Sequence, residues 1–106
     1  MLLSKSLAAD YGADNIRVNG ICPGATDTPG FRESTAKQAE DPAALIRERM
    51  ARVPLGRLLT SEDIARAALY LVSEESEGVT GIAHLVDGGL LTVAEYSQTW
   101  FPKQPE

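Results

Sequence analysis

Residues 15–24 decide the fold, and they read Asn-Ile-Arg-Val-Asn-Gly-Ile-Cys-Pro-Gly. Residues 16–22 are rich in β-branched side chains that alternate with polar ones, a pattern that predicts a β-strand. Pro23 and Gly24 follow directly, and this pair predicts a sharp loop at the carboxyl end of the strand. The sequence therefore predicts a strand that ends in a Pro-Gly loop.

A helix is expected before this strand and a loop after it. Apolar residues recur at helical spacing from Leu2 to Tyr11. Gly12 stands where a helix cap adopts the left-handed conformation, so we expect the helix to end there. Residues 25–40 are rich in Thr, Ser, Gly and charge and show weak periodicity, which predicts a mobile loop that can include a short helix.

Two further helices have clear start signals. Asp41-Pro42 combines a capping side chain with a proline suited to the first turn, and this helix is expected to reach Val53, before Pro54. Thr60-Ser61-Glu62-Asp63 fits the capping-box pattern and precedes an apolar stripe that reaches Val72. The second of these is the more secure helix.

A second strand is predicted over residues 82–86, which are apolar and are followed by Asp87-Gly88-Gly89. Residues 90–106 show no clear period and are expected to form an irregular tail that either packs by its aromatic residues or frays. A strand-helix-strand connection of this length implies parallel strands and a right-handed crossover, so the fold class is α/β. Two parallel strands leave an edge unpaired, which indicates that other elements complete the sheet.

Composition excludes several classes of function. Acidic residues outnumber basic ones fifteen to ten and the net charge is −5, which argues against a nucleic-acid partner. The basic cluster Arg47, Arg49 and Arg52 is interrupted by Glu48 and is interpreted as a solvated helix face. We find no secretory leader and no apolar stretch that could span a membrane, so a membrane association is not expected.

Cysteine and histidine usage points to a reducing compartment, and we expect the cytoplasm. Cys22 stands alone and cannot form an internal disulfide. No grouping of Cys and His has the spacing of a metal site, so no metal is expected. His84 lies in an apolar run and is interpreted as a structural residue.

Several motifs taken together resemble the short-chain dehydrogenase/reductase family, and the match runs from about Leu2 to Gly89. Any one of them is weak, but their order and spacing agree with the family pattern. They are residues 15–24, Thr28, Arg57, Glu62-Asp63-Ile64-Ala65, Thr80-Gly81 and Val86-Asp87-Gly88-Gly89.

The resemblance implies a partial Rossmann-type doubly wound sheet, of which this chain would supply the last two parallel strands with their connecting helices. It also implies a cofactor, NAD or NADP, beyond the carboxyl ends of the strands. Backbone groups of residues 23–26 would face the nicotinamide, and the Thr28 hydroxyl would contact its carboxamide or the pyrophosphate, with a loop-capping hydroxyl as the alternative. The residues expected to bind cofactor are Pro23, Gly24, Ala25, Thr26 and Thr28. Ala25-Thr26 is a small polar departure from the family pattern.

By the same resemblance, the chain is the C-terminal part of one domain, with residues 29–53 as a substrate lid and residues 90–106 as a tail. The family interconverts an alcohol and a carbonyl by hydride transfer, using a Tyr, a Lys four residues later and a Ser. No Tyr-x-x-x-Lys and no glycine-rich phosphate loop occurs here, so no residue of this chain is predicted to be catalytic. The missing Tyr and Lys would lie just upstream of Met1, and a gene fragment, an internal start and a frameshifted copy all stay open.

Two classes of function follow. The first is a segment of an NAD(P)-dependent oxidoreductase, inactive as the isolated chain and part of a homo-oligomer in the full-length form. The second is a noncatalytic interaction module, or a remnant, that pairs with a full-length relative. In the family, the helix near Leu2 and the region from Ser61 to Val86 contribute to subunit interfaces. The small-molecule alcohol or carbonyl substrate and the choice between NAD and NADP are not readable from these residues.

Overall fold

The computed structural model describes residues 2–95. The tail prediction for residues 96–106 lies outside the described residues. The described elements, in chain order, are α1 (Leu2–Tyr11), a 3-10 turn (Gly12–Asp14), β1 (Gly20–Pro23), α2 (Pro29–Gln38), α3 (Pro42–Met50), α4 (Ser61–Val72), a second 3-10 turn (Glu74–Ser76), β2 (Ala83–Val86) and α5 (Leu90–Glu95).

The two strands of the described region form one parallel sheet, which confirms the α/β class. Gly20 lies opposite Ala83, and Pro23 lies opposite Val86. The ladder continues one residue beyond β1, where the Gly24 N–H donates to the Val86 carbonyl at 2.8 Å. The carboxyl ends of both strands therefore meet at the same edge of the sheet.

β1 begins later than predicted and ends one residue later, at Pro23. Ahead of it the Val18 carbonyl still accepts from the Gly81 N–H at 2.8 Å, and the other bonds of this stretch involve side chains. The Val18 N–H donates to Thr80 Oγ1 at 3.0 Å. The Asn19 amide donates to the Val79 carbonyl at 3.0 Å and accepts from the Ile82 N–H at 3.2 Å. These bonds satisfy backbone groups that a regular ladder would otherwise satisfy.

The predicted left-handed cap at Gly12 is wrong. Gly12 opens a 3-10 turn, and the left-handed residue is Asn15, with φ of 59°. The Asn15 N–H donates to the Gly12 carbonyl at 3.0 Å. Asn tolerates the left-handed region better than other residues that carry a Cβ, so the reversal moves three residues downstream.

The predicted loop over residues 25–40 is mostly a helix of ten residues, α2. Thr28 Oγ1 accepts from the Phe31 N–H at 3.1 Å, and Pro29 occupies the first turn. A capping side chain followed by proline is also the signal that predicted α3, where the Asp41 side chain accepts from the Ala44 N–H. The apolar period of α2 is weak because the helix buries only Thr35.

α3 ends earlier than predicted, whereas α4 begins as predicted. α3 stops at Met50, and the Val53 N–H closes a turn by donating to the Met50 carbonyl at 3.0 Å. At α4, Thr60 Oγ1 accepts from the Asp63 N–H, and the Asp63 carboxylate accepts from the Thr60 N–H, at 3.1 and 2.8 Å. The reciprocal capping box is therefore confirmed.

α5 was not predicted, since residues 90–95 have no clear period, yet they are helical. The Asp87 carboxylate accepts from the N–H groups of Gly89 and Leu91 at 2.9 and 3.2 Å. The Asp-Gly-Gly turn thus both ends β2 and satisfies donors at the start of α5.

The core of the described region is small. Its buried apolar side chains are Ala8, Met50, Val53, Leu59 and Leu71. Large apolar side chains on two helices stay exposed, for example Leu2 at 82% and Val72 at 78%. Within residues 2–95, no helix combines the length and apolar character needed to cross a bilayer.

Candidate functional site

Residues 23–28 begin at the last residue of β1 and continue beyond the carboxyl edge of the sheet, and we call them the cofactor loop after their predicted role. All five residues predicted to bind cofactor lie in it. The loop passes very close to the end of β2, because a Cβ atom at Gly24 would lie 2.8 Å from the Asp87 Cα. A side chain at this position would collide with the backbone of Asp87, which explains the glycine at position 24.

Leu59 holds the middle of the cofactor loop from the other side. Its N–H donates to the Ala25 carbonyl at 3.0 Å, and its carbonyl accepts from the Asp27 N–H at 2.8 Å. Thr26 and Leu59 form an isolated parallel bridge. Leu59 is 4% exposed, so water competes little for these two bonds.

The hydroxyl groups of the loop have internal partners. Thr26 Oγ1 donates to the Gly24 carbonyl at 2.9 Å. Thr28 Oγ1 accepts from the Phe31 N–H and so caps α2, but a hydroxyl that accepts one bond still has its own proton to donate. The capping geometry and the predicted ligand contact of Thr28 are therefore compatible.

An ion pair fixes the exit of the loop. Arg32 donates to the two carboxylate oxygens of Asp27 at 2.7 and 2.8 Å. The hydrogen bond from Arg32 holds the pKa of the Asp27 carboxyl below its usual value. Because both side chains are half exposed, this pair orients the first turn of α2 more than it stabilises the fold.

The loop has unused donors. Within residues 2–95, the backbone N–H groups of Ala25, Thr26 and Thr28 donate to no protein acceptor. Backbone N–H groups and a hydroxyl proton are the donors that match the carboxamide oxygen of a nicotinamide or the oxygens of a phosphate. The donor set therefore fits the group that the sequence pattern implies.

The Asp87-Gly88-Gly89 turn closes the site on the β2 side. Gly88 and Gly89 have φ of 64° and 91°, which L side chains adopt with strain. The Gly88 carbonyl accepts from the Leu55 N–H at 3.1 Å. This bond joins the turn to the segment that leads from α3 to α4.

A cleft of about 530 Å³ lies beside this turn. Arg57 and Asp63 stand at its edge, joined by a 2.8 Å hydrogen bond. That bond, with a second one from the Thr60 N–H, holds the pKa of the Asp63 carboxyl well below its usual range. The cleft is lined by Pro54, Leu55, Arg57, Leu59, Asp63, Arg66 and residues 85–89.

Arg17, which sequence predicted within a strand and without a specific role, has four hydrogen-bond acceptors. Its Nη1 donates to Leu71 O and Ser76 Oγ at 2.9 Å and to Val79 O at 3.1 Å. Its Nη2 donates to Ser73 O at 3.1 Å. An arginine near a helix C-terminus satisfies carbonyls that have no helical partner. Sequence did not indicate this role, because Arg17 and Leu71 are more than fifty residues apart in the chain.

The remaining titratable candidates form no centre of their own. Cys22 is a free thiol in β1, half-buried. His84 lies beside Tyr70, with ring centroids 6.4 Å apart. In the part of the chain that the structure describes, no group of three or more His, Cys, Asp or Glu side chains could hold a metal ion.

Comparison with known families gives a match over most of the chain. The sequence model of the family described as enoyl-(acyl carrier protein) reductase matches residues 1–91. A dehydrogenase/reductase SDR family member 6 from Aquarana catesbeiana is 45% identical over 87 residues, which is 82% of this chain and 35% of that protein. The 2-(S)-hydroxypropyl-CoM dehydrogenase 3 from Xanthobacter autotrophicus is 38% identical over 91 residues, 86% of this chain and 35% of that protein.

Solved structures agree with the described fold. A short-chain dehydrogenase family protein from Francisella tularensis superposes with a TM-score of 0.82 at 32% identity, covering 86% of this chain and 39% of that one. A putative 2-deoxy-D-gluconate 3-dehydrogenase from Agrobacterium tumefaciens, solved with bound NADP, gives 0.74 at 39% identity, covering 85% and 35%. This chain therefore spans about a third of the length of the proteins it matches.

Proposed function

The chain belongs to the short-chain dehydrogenase/reductase family, and from this premise we propose that it is the C-terminal segment of an NAD(P)-dependent oxidoreductase. The enzyme would interconvert an alcohol and a carbonyl by hydride transfer. The named dehydrogenases among its relatives support this class of reaction.

One observation carries the proposal. The cofactor loop lies beyond the carboxyl ends of both strands and leaves three backbone donors without a protein acceptor within residues 2–95. In open α/β sheets, ligands bind in this position. The NADP in the Agrobacterium neighbour supports a nicotinamide cofactor for a chain of this fold.

Each part of the segment has a role in this proposal. The cofactor, when bound, supplies or accepts the hydride. Residues 23–26 orient the nicotinamide through backbone groups, and the Thr28 hydroxyl donates to its carboxamide or to a phosphate. Residues 29–53 act as the substrate lid, and no residue of this chain is assigned a catalytic role.

The binding role of Thr28 is tested in a longer protein that contains these residues together with a Tyr-x-x-x-Lys upstream. Thr28→Val removes the hydroxyl, and Thr28→Ser retains it. One hydrogen bond of about 0.5–1.5 kcal/mol corresponds to a rise of roughly two- to tenfold in the KM for cofactor with Val. Equal KM values for Val and wild type would remove Thr28 from the site, whereas the absence of any NAD(P)-dependent turnover would reject the proposed function itself.

We further propose that the isolated chain is inactive, because the pyrophosphate half of a dinucleotide site is formed by a glycine-rich turn that its sequence lacks. Isothermal titration calorimetry with NADH and NADPH is expected to give no measurable heat of binding. Micromolar binding by the 106-residue chain would contradict this part of the proposal.

An interaction module is the second candidate function, and the exposed apolar faces of two helices favour it. Leu2 and Leu3 on α1, and Leu69 and Val72 on α4, are between 66% and 82% exposed. Such faces are typical of subunit contacts, with a second copy or a full-length relative as the partner. A monodisperse oligomer in analytical ultracentrifugation that dissociates in a Leu69→Ser/Val72→Ser variant would support it, and a stable monomer would reject it.

A further inference from the structure

The segments that precede and follow the proposed lid contact each other. α2 begins at Pro29, directly after the cofactor loop, and the chain leaving α3 runs through residues 53–59, which we call the strap. The two bonds between Leu59 and the loop, of 2.8 and 3.0 Å, join these two stems. The lid therefore lies between two segments that are hydrogen-bonded to each other.

The first half of the strap packs tightly on the Asp-Gly-Gly turn. A Cβ atom at Gly88 would lie 2.8 Å from Val53 Cγ1, and one at Gly89 would lie 3.0 Å from Pro54 Cγ. Leu55 bonds the same turn through its N–H. Because Val53 is 8% exposed and the Val53 and Pro54 side chains lie directly against the backbone of Gly88 and Gly89, the strap has little space in which to shift without moving the turn.

We infer that Leu59 is a positioning residue, and that the strap couples the lid to the cofactor loop. The glycine turn holds Val53 to Leu55, and Leu59 in turn holds the backbone of Ala25 and Asp27. Displacing the strap breaks the bonds that keep the loop donors in place, so lid opening and loosening of the loop are one movement. The assignment of a lid and of a cofactor loop rests on the proposed function, whereas the coupling between the strap and residues 25–27 does not.

Backbone amide hydrogen exchange of the 106-residue chain, without cofactor, tests this coupling. Gly88→Ala places a Cβ against Val53 and strains a residue with φ of 64°. We expect exchange of the Asp27 and Leu59 amides to accelerate by roughly five- to thirtyfold, the effect of one to two kcal/mol of local strain. These two amides donate the two hydrogen bonds that join Leu59 to the cofactor loop.

Two further variants make the result specific. Gly81→Ala is the matched control, because Gly81 has φ of 77° but its Cβ would contact only Ala8, at 3.3 Å. Its strain is expected to leave the Asp27 and Leu59 amides unchanged. Val53→Ala loosens the strap from its own side without backbone strain, and it is expected to accelerate the same two amides as Gly88→Ala.

The inference would be overturned by acceleration confined to residues 53–56 and 87–90, since the strap would then move without the loop. Uniform acceleration in both Gly88→Ala and Val53→Ala would also overturn it, because the strap would then open only with the whole fold. Failure of the proposed function is a separate result. It would show as absent NAD(P) dependence in the longer protein, whatever the exchange pattern of this chain.

Discussion

The guanidinium of Arg17 lies 2.9 Å from the hydroxyl of Ser76, a side chain with no exposed surface. The same hydroxyl donates to the Leu71 carbonyl at the end of α4. Arg17 therefore ties the chain entering β1 to the end of α4 and to the turn that follows. β1, which begins three residues after Arg17, leads into the cofactor loop.

Arg17→Lys is expected to destabilise the chain by about 1–3 kcal/mol, because an ammonium group cannot serve four acceptors in the geometry of a guanidinium. Urea unfolding followed by circular dichroism gives the free energy of unfolding. Arg52→Lys is the control, since Arg52 is exposed and its contact with Glu48 is 3.7 Å long. An equal loss of unfolding free energy in both variants would show that the Arg17 hydrogen bonds do not stabilise the fold more than an exposed arginine does.

Gly24→Ala is expected to cost about 1–3 kcal/mol, because its Cβ meets the backbone of Asp87 rather than a flexible side chain. Gly30→Ala is the matched control within α2, where no atom lies within 4 Å of the added Cβ. That change should stabilise the chain by about 0.5–1 kcal/mol, since Gly is a poor helix former. Thermal melts compare the two, and a neutral Gly24→Ala would argue against a close approach of loop and turn.

Asp63→Asn tests the capping box through its pH dependence. The folded state holds the Asp63 pKa below its ordinary value, chiefly through the Arg57 hydrogen bond. Its contribution is therefore fully present above the ordinary aspartate pKa of about 3.9, and it is lost as the pH falls towards the lower folded value. The stability gap between wild type and Asp63→Asn should be constant above about pH 5 and narrow below pH 4. A gap that does not change with pH would show that the charge of Asp63 is unimportant.

Asn15 supplies a backbone test. Asn15→Ala should destabilise the chain by about 1–2 kcal/mol, because alanine has no side-chain bond to offset the left-handed conformation, whereas Asn15→Gly should be close to neutral. Chemical denaturation of the two variants separates this effect from the loss of the amide group. If Gly were as costly as Ala, the amide and not the conformation would be the important feature.

The elements that sequence predicted well are those with local signals. The capping box at Thr60 and the Asp87-Gly88-Gly89 turn depend on residues next to each other in the chain. The elements that sequence did not predict lack such a signal, or carry one that a competing signal contradicts. α2 has a Thr-Pro start identical in kind to the Asp-Pro start of α3, but its weak apolar period favoured a loop.

The candidate site was predicted as a segment, and its contacts were not. Sequence placed Pro23, Gly24, Ala25, Thr26 and Thr28 in one loop, and the structure brings them together at the sheet edge. Their binding of a cofactor stays a prediction. Nothing local to residues 53–59 indicated that Leu59 pairs with the loop, because Leu59 and its partner Thr26 are more than thirty residues apart in the chain.

Sequence by itself determined the family, the parallel strand pair, the loop that follows β1 and the Asp87-Gly88-Gly89 turn. The strands, the loop and the turn depend on residue types whose conformational preferences act over a few positions. Only the tertiary structure decided that Arg17 serves the end of α4, that Leu59 bonds the cofactor loop, and that Gly24 and Gly88 are needed for close contacts. Those partners come from distant parts of the chain, and their hydrogen bonds and contacts exist only once packing has brought them within a few ångströms of each other.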